Sequence, residues 1–141
     1  MSGLFKRTPP PVLNKQDLDL GLGKNLSELS ELRISSGFKI LELNDNVYPT
    51  GYYRKVINAQ KSFKGGYSIQ LINEIKPQND RCDIVFFGFL EEEVRRIMDA
   101  NFGIGRNNKW IISGNQHLWL QKKGYDHIDM VCSDLEGKNY V

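Results

Sequence analysis

Two glycine-rich segments have the residue types of phosphate-binding loops. Gly21-Leu22-Gly23-Lys24 precedes a short apolar stripe, but a P-loop needs a glycine five residues before the Gly-Lys pair, and that position is Leu18. The next residue is Asn25 rather than serine or threonine. Residues 103–109 are rich in glycine and basic side chains, but they follow a predicted helix, whereas dinucleotide loops run from a strand into a helix. We interpret the first segment as a linker and the second as a helix end and turn.

Side chains that could carry catalysis or bind metal are few and scattered. His117 and His127 lie ten residues apart beside Asp126 and Asp129, and a metal site there would need a further ligand from elsewhere. Ser113 lacks the Gly-x-Ser-x-Gly elbow of a nucleophile. The pattern predicts no catalytic residues, no metal and no cofactor, and we expect the chain not to be an enzyme.

Composition predicts one globular domain in a reducing compartment. The 141 residues are 40% hydrophobic and 11% aromatic, which suffices for a core, and the net charge of +2 by itself indicates neither nucleic acid nor membrane. Cys82 and Cys132 lack a CxxC spacing and are expected to be buried free thiols. No apolar run approaches the roughly 20 residues of a membrane span, so no membrane insertion is expected. Residues 1–12 lack the apolar region of a signal peptide. These features together predict a cytoplasmic protein.

The chain divides into an arm and a domain. Residues 1–36 are predicted to form an extended N-terminal arm, with Pro9, Pro10 and Pro11 in a polyproline conformation and a short helix over Leu26 to Leu32. Asn25 or Ser27 could cap this helix. Residues 37–141 are predicted to form the domain.

Within the domain, strand-like and helix-like patterns alternate. Strands are predicted over residues 38–43, 67–75, 83–89, 110–112 and 127–132, and helices over residues 51–63 and from Leu90 to Phe102. Residues 117–123 fit either a helix or a strand. The nearly continuous apolar run 83–89 is typical of a strand covered on both faces. The predicted fold is therefore α/β: a small doubly wound, mostly parallel sheet of about five strands with helices on both faces.

This order of elements resembles the receiver domain of bacterial response regulators, over about residues 37–133. The first predicted strand ends in Asn44-Asp45, the third is followed by Gly88, and Ser113-Gly114 follows the fourth. The family has a phosphorylated aspartate where this chain has Gly88, and a lysine near the place of Val131 and Cys132. Residues 76–81 are also too short for the usual parallel crossover. The resemblance implies a degenerate receiver-like regulatory domain without phosphorylation chemistry.

These observations predict a non-catalytic adaptor or assembly subunit that docks on another protein through its arm and one face of the domain. The predicted contact residues are Leu4, Phe5, Val12 and Leu13 of the arm and Arg54, Lys55 and Lys61 of the basic 51–63 helix face. The alternative is a small protein that binds nucleic acid or a phosphate ligand through that basic face. Asp45, Arg106 and Lys109 are the candidate ligand-binding residues.

Overall fold

The computed structural model describes residues 7–47, 49–50, 53–75, 81–113, 116–123 and 127–134. In chain order the elements in these ranges are α1 (Leu26–Ser35), β1 (Lys39–Val47), β2 (Tyr53–Phe63), β3 (Tyr67–Ile75), β4 (Arg81–Phe87), α2 (Glu91–Phe102), β5 (Lys109–Ser113), β6 (Gln116–Lys123) and β7 (His127–Asp134). The strands form one sheet in the order β1-β2-β3-β4-β7-β6-β5. Every neighbouring pair is antiparallel.

The predicted doubly wound parallel sheet is wrong, and with it the α/β, receiver-like description. Residues 51–63, predicted as a basic amphipathic helix, contain strand β2 instead. The adjacent Val56 and Ile57 are only 3% and 0% exposed, because neighbouring side chains of a strand point to opposite faces and both faces are buried here. Burial on both faces also explains the apolar run at β4, which is an inner strand of the antiparallel sheet, between β3 and β7.

Several local predictions are confirmed. Helix α1 begins after Asn25, whose side chain accepts from the backbone N–H of Glu28 while the Glu28 side chain accepts from the Asn25 backbone N–H. Helix α2 begins with three glutamates, which suit the positive end of the helix dipole. The segment that fitted both a helix and a strand forms β6, and β7 is found where the last strand was predicted.

One face of the sheet carries the hydrophobic core. Inward side chains from β2, β3, β4, β5, β6 and β7 pack there with α2 and with the segment before α1; they include Ala59, Ile69, Leu71, Ile84, Phe86, Trp110, Leu118, Ile128 and Met130. Val94 and Met98 of α2 belong to the same cluster. Helix α1 reaches this face through Arg33, which donates to the side chain of Asn73 on β3. Both described helices therefore lie on the same side of the sheet.

The described part of the N-terminal arm also lies on this core, and we call residues 7–20 the strap. Leu13, Leu18 and Leu20 are 5%, 1% and 4% exposed and belong to the core cluster of the sheet. Asp17 accepts from the ammonium group of Lys61 on β2 at 2.6 Å. The strap and the residues after position 37 thus share one core.

The tip of the strap is held against α2 and β3. Arg7 donates to both carboxylate oxygens of Glu93 at 2.7 and 3.3 Å and lies over the ring of Tyr67. The Tyr67 hydroxyl donates to the carbonyl of Thr8. The guanidinium of Arg7 holds the pKa of Glu93 below its ordinary value, with a smaller contribution from the backbone N–H of Leu90.

We expect Leu18→Ala to lower the free energy of unfolding by about 2–5 kcal/mol, because it opens a cavity in the core. Val12→Ala is the matched control in the same segment; Val12 is 94% exposed, and the change should stay within about 0.5 kcal/mol. Urea unfolding of the full chain measures both. Equal, small effects would mean that the strap is not part of the core.

Glu93→Gln should alter how stability depends on pH. A carboxyl whose folded pKa is depressed adds stability that is complete above its unfolded pKa and is lost as the pH falls through the folded pKa. The difference in unfolding free energy between wild type and Glu93→Gln should therefore be greatest above about pH 5 and shrink in more acidic solution. Urea titrations across this range measure it, with the exposed neighbour Glu92→Gln as control. A difference that stays constant with pH would contradict the assignment.

Candidate functional site

The second face of the sheet, which we call the open face, is the candidate site. Strand alternation and register place on it the described side chains of Lys39, Glu42, Asn44, Asn58, Gln60, Gln70, Ile72, Glu74, Arg81, Asp83, Val85, Phe87, Lys109, Ile111, Trp119, His127 and Asp129, among others. Within the described ranges, α1, α2 and the strap all pack on the opposite face. Val56, Val85 and His117 on this face are nonetheless buried, and many of its other side chains are half-buried.

The centre of the open face is acidic. Arg81 of β4 donates to both carboxylate oxygens of Asp83 at 3.1 and 3.0 Å. These hydrogen bonds, with the nearby carboxylates of Glu74 on β3 and Asp129 on β7, raise the pKa of Arg81. Among the described side chains of these three strands on this face, one guanidinium thus stands among three carboxylates. Such a surface attracts cations and repels phosphates.

Aromatic and apolar side chains lie around this centre. The rings of Phe87 and His127, opposite each other on β4 and β7, are 5.8 Å apart. Trp119 of β6 lies under the ammonium group of Lys109 at 5.4 Å. Ile72 of β3 is half-buried beside Asp83. Aromatic side chains and arginine are enriched at protein interfaces, whereas carboxylates are depleted there.

Some buried polar atoms of the open face have no hydrogen-bond partner among the described residues. They include the side-chain oxygens of Asn44 and Asn58 and the indole nitrogen of Trp119. Asn58 on β2 and Trp119 on β6 are joined by one row of register partners across β3, β4 and β7. Four strand spacings separate them, about 19 Å. Buried polar atoms are nearly always hydrogen-bonded, so these positions are exceptions to the usual pattern of a folded chain.

The structure does not gather the predicted contact residues of the arm and of residues 51–63 on one surface. Leu13 is in the core, Val12 is exposed, and Leu4 and Phe5 lie outside the described residues. Lys61 is bound to Asp17 and to the backbone carbonyl of Ser36 on the covered face. Lys55 is half-buried on that face too, and the side chain of Arg54 lies outside the described set.

Of the three predicted ligand-binding residues, Arg106 and Lys109 lie together and Asp45 lies far from both. Asp45 is exposed on β1, whereas Lys109 begins β5 and Arg106 bridges to it across a two-residue turn. Strands β1 and β5 are the two edges of the sheet, six strand spacings or about 29 Å apart. The turn itself, Arg106-Asn107-Asn108-Lys109, has positive φ at both asparagines, as a type I′ hairpin requires.

The segments considered for phosphate and metal chemistry have structural roles. Asp99 of α2 accepts from the indole N–H of Trp110 at 2.7 Å and from the backbone N–H of Gly105, and these bonds lower the pKa of Asp99. The glycine-rich residues 103–109 are thereby fixed as a helix end and turn. In the described part of the chain, histidine, cysteine and acidic side chains form no group of three that could hold a metal ion.

Sequence reasoning missed the open face. Its signal was the alternation of polar with apolar residues along β3, as in Gln70 between the buried Ile69 and Leu71. Taking β2 as a helix concealed the same alternation in Asn58 and Gln60.

No protein-family model, no curated protein and no solved structure matches the chain. In the ranges that the structure describes, no helix is long and apolar enough to cross a membrane.

Replacing each tryptophan by phenylalanine should reveal whether the Trp119 indole N–H has a partner within the chain. Trp110→Phe loses a hydrogen bond to a carboxylate, while Trp119→Phe loses an N–H that has no described partner. Trp110 is also buried in the core whereas Trp119 is half-buried, so Trp110→Phe should cost at least about 1.5–3 kcal/mol more. Chemical denaturation of both variants measures the difference. Equal losses of unfolding free energy in the two variants would show that the Trp119 N–H already has a hydrogen-bond partner within the chain.

Proposed function

We propose that the chain is a non-catalytic protein-binding module, and that its open face receives a partner surface rich in basic and apolar side chains. The observation that carries the proposal is the row from Asn58 to Trp119, which combines buried polar atoms lacking partners with half-buried Ile72 and the acidic centre. A partner that fills this row would supply hydrogen bonds, apolar contact and positive charge together.

Charge favours a protein partner over nucleic acid. The three carboxylates at the centre would repel a phosphate backbone, while the lysines with described side chains on this face, Lys39 and Lys109, lie on the outermost strands. The basic residues of 51–63 do not form a helix face, because alternation along β2 divides the segment between both sides of the sheet.

The carboxylates support binding rather than catalysis. Asp83 makes a two-bond ion pair with Arg81, which keeps its oxygens engaged instead of leaving them as a free acid or base. A cytoplasmic adaptor or subunit of a larger assembly remains the role we propose.

The test compares two doubly substituted full-length chains that lose the same two charges. Glu74→Gln with Asp129→Asn removes two carboxylates of the open face, and Glu31→Gln with Glu92→Gln removes two exposed ones on the helices. Each tagged chain is used for affinity capture from extracts of the source organism, at low and high salt and with nuclease. Circular dichroism verifies that both variants are folded.

A protein captured by wild type and by the helix variant should be bound about tenfold more weakly by the open-face variant, since each partly exposed ion pair contributes up to about 1 kcal/mol. Equal capture by all three chains would exclude the open face as the binding surface. Capture that disappears with nuclease would instead identify a nucleic acid and overturn the choice of a protein partner.

A further inference from the structure

The tip of the strap, residues 7–13, binds the rest of the chain as a peptide ligand would. Arg7 pairs with Glu93 and stacks over Tyr67, and the Tyr67 hydroxyl donates to the Thr8 carbonyl. At the other end, the amide of Asn101 donates to the Leu13 carbonyl at 3.1 Å. We call the surface formed by Tyr67, Glu93, Ile97, Ala100 and Asn101 the strap groove.

The strap tip has the chemistry of a preorganised ligand. Its three consecutive prolines fix φ near −65° and favour an extended polyproline helix, so little conformational entropy is lost when the segment docks. Proline-rich segments are commonly recognised by a groove with aromatic side chains, and here an arginine is bound by an acid at one end. The groove thus selects a segment with arginine just before the prolines.

The contacts between tip and groove can be released and remade. The Arg7 side chain is 43% exposed, and space of about 240 Å³ remains beside Pro10 and Pro11 along α2. Only Leu13 anchors the tip in the core. None of these contacts depends on the chain connection between tip and groove, because the partners are separated by 59 to 88 residues.

A compact turn connects the tip to the rest of the strap. The side chain of Asn14 accepts from the Asp17 backbone N–H at 2.9 Å, and that of Asp17 accepts from the Asn14 backbone N–H at 3.1 Å. If residues 14–17 become extended they span about 13 Å, enough to direct the tip to an adjacent molecule.

We propose that the strap groove accepts residues 7–13 of a second copy, so that two chains exchange their strap tips and form a closed dimer with two-fold symmetry. The second copy is the occupant that the groove fits, since its tip carries the same arginine, prolines and leucine that fill the groove within one chain. Exchange of identical segments keeps every contact between tip and groove and gives up only contacts of residues 14–17, so it is a low-cost route to a dimer.

The test uses two full-length chains with opposite charge reversals, Arg7→Glu and Glu93→Arg. Each chain alone places like charges at the contact between tip and groove. In an equimolar mixture, Glu at position 7 of one chain faces Arg at position 93 of the other, and Arg7 of the second faces Glu93 of the first. We expect each variant alone to be monomeric and the mixture to give particles of twice the mass in sedimentation velocity. A mixture that stays monomeric overturns the proposal.

Two controls keep the result decisive. Glu93 also accepts from the Leu90 backbone N–H, so every chain with Glu93→Arg loses that hydrogen bond. The chain with both reversals has the same loss but restores the ion pair within one molecule. It should therefore have the oligomeric state of wild type, which separates exchange from loss of folding. Should Glu93→Arg alone fail to fold, two differently tagged wild-type chains are unfolded and refolded together at high concentration. Dimers containing both tags support exchange, and monomers alone exclude it. Neither result tests partner binding at the open face, which lies on the other side of the sheet.

Discussion

The buried guanidinium of Arg33 ties together the strap, α1 and the sheet. It donates to the backbone carbonyls of Asp19 and Leu20 at the end of the strap and to the side chain of Asn73 on β3, which in turn donates to the Leu20 carbonyl. Carbonyls buried in a non-helical segment need such donors. Burial lowers the pKa of Arg33, yet arginine keeps its charge in proteins, so the surrounding carbonyls must stay in place to solvate it. Removing this one side chain would take a donor from the Asp19 carbonyl and from the Asn73 side-chain oxygen at once, and would leave the Leu20 carbonyl with Asn73 alone.

This anchor accounts for the one-sided architecture. Because Arg33 fixes α1 and the end of the strap to β3, and the core holds α2 beside them, the described covering elements all occupy one face. Antiparallel sheets tolerate such an arrangement, since one of their faces can meet water. Polar side chains that are buried on the open face then need hydrogen-bond partners on that face, and the pairing of Arg81 with Asp83 satisfies only some of them.

The sequence allowed the local elements to be predicted better than their assembly. The caps and apolar spacing of α1 and α2, and the strands at β3, β4 and β7, follow from short-range patterns that hold in any context. The direction of a strand does not follow from short-range patterns, because an inner antiparallel strand such as β4 can have the same apolar run as a parallel strand. Val56 and Ile57 fitted a helical stripe although they point to opposite faces. The open face combines residues from seven strands, so only the register could bring Asn58, Asp83 and Trp119 into one row.

The strand order also has a consequence for how the chain folds. Strands β1 to β4 pair in sequence, as do β5 to β7, so the sheet is two meanders joined only where β4 meets β7. Each meander forms from contacts close in the chain, which are quickly made, whereas the seam must close a loop that contains α2, β5 and β6. During synthesis the first meander can assemble early, but its β4 edge stays uncovered until the second arrives. The rate at which this seam closes should therefore set both the folding time and the interval during which a nascent chain is exposed to pairing with the wrong strand.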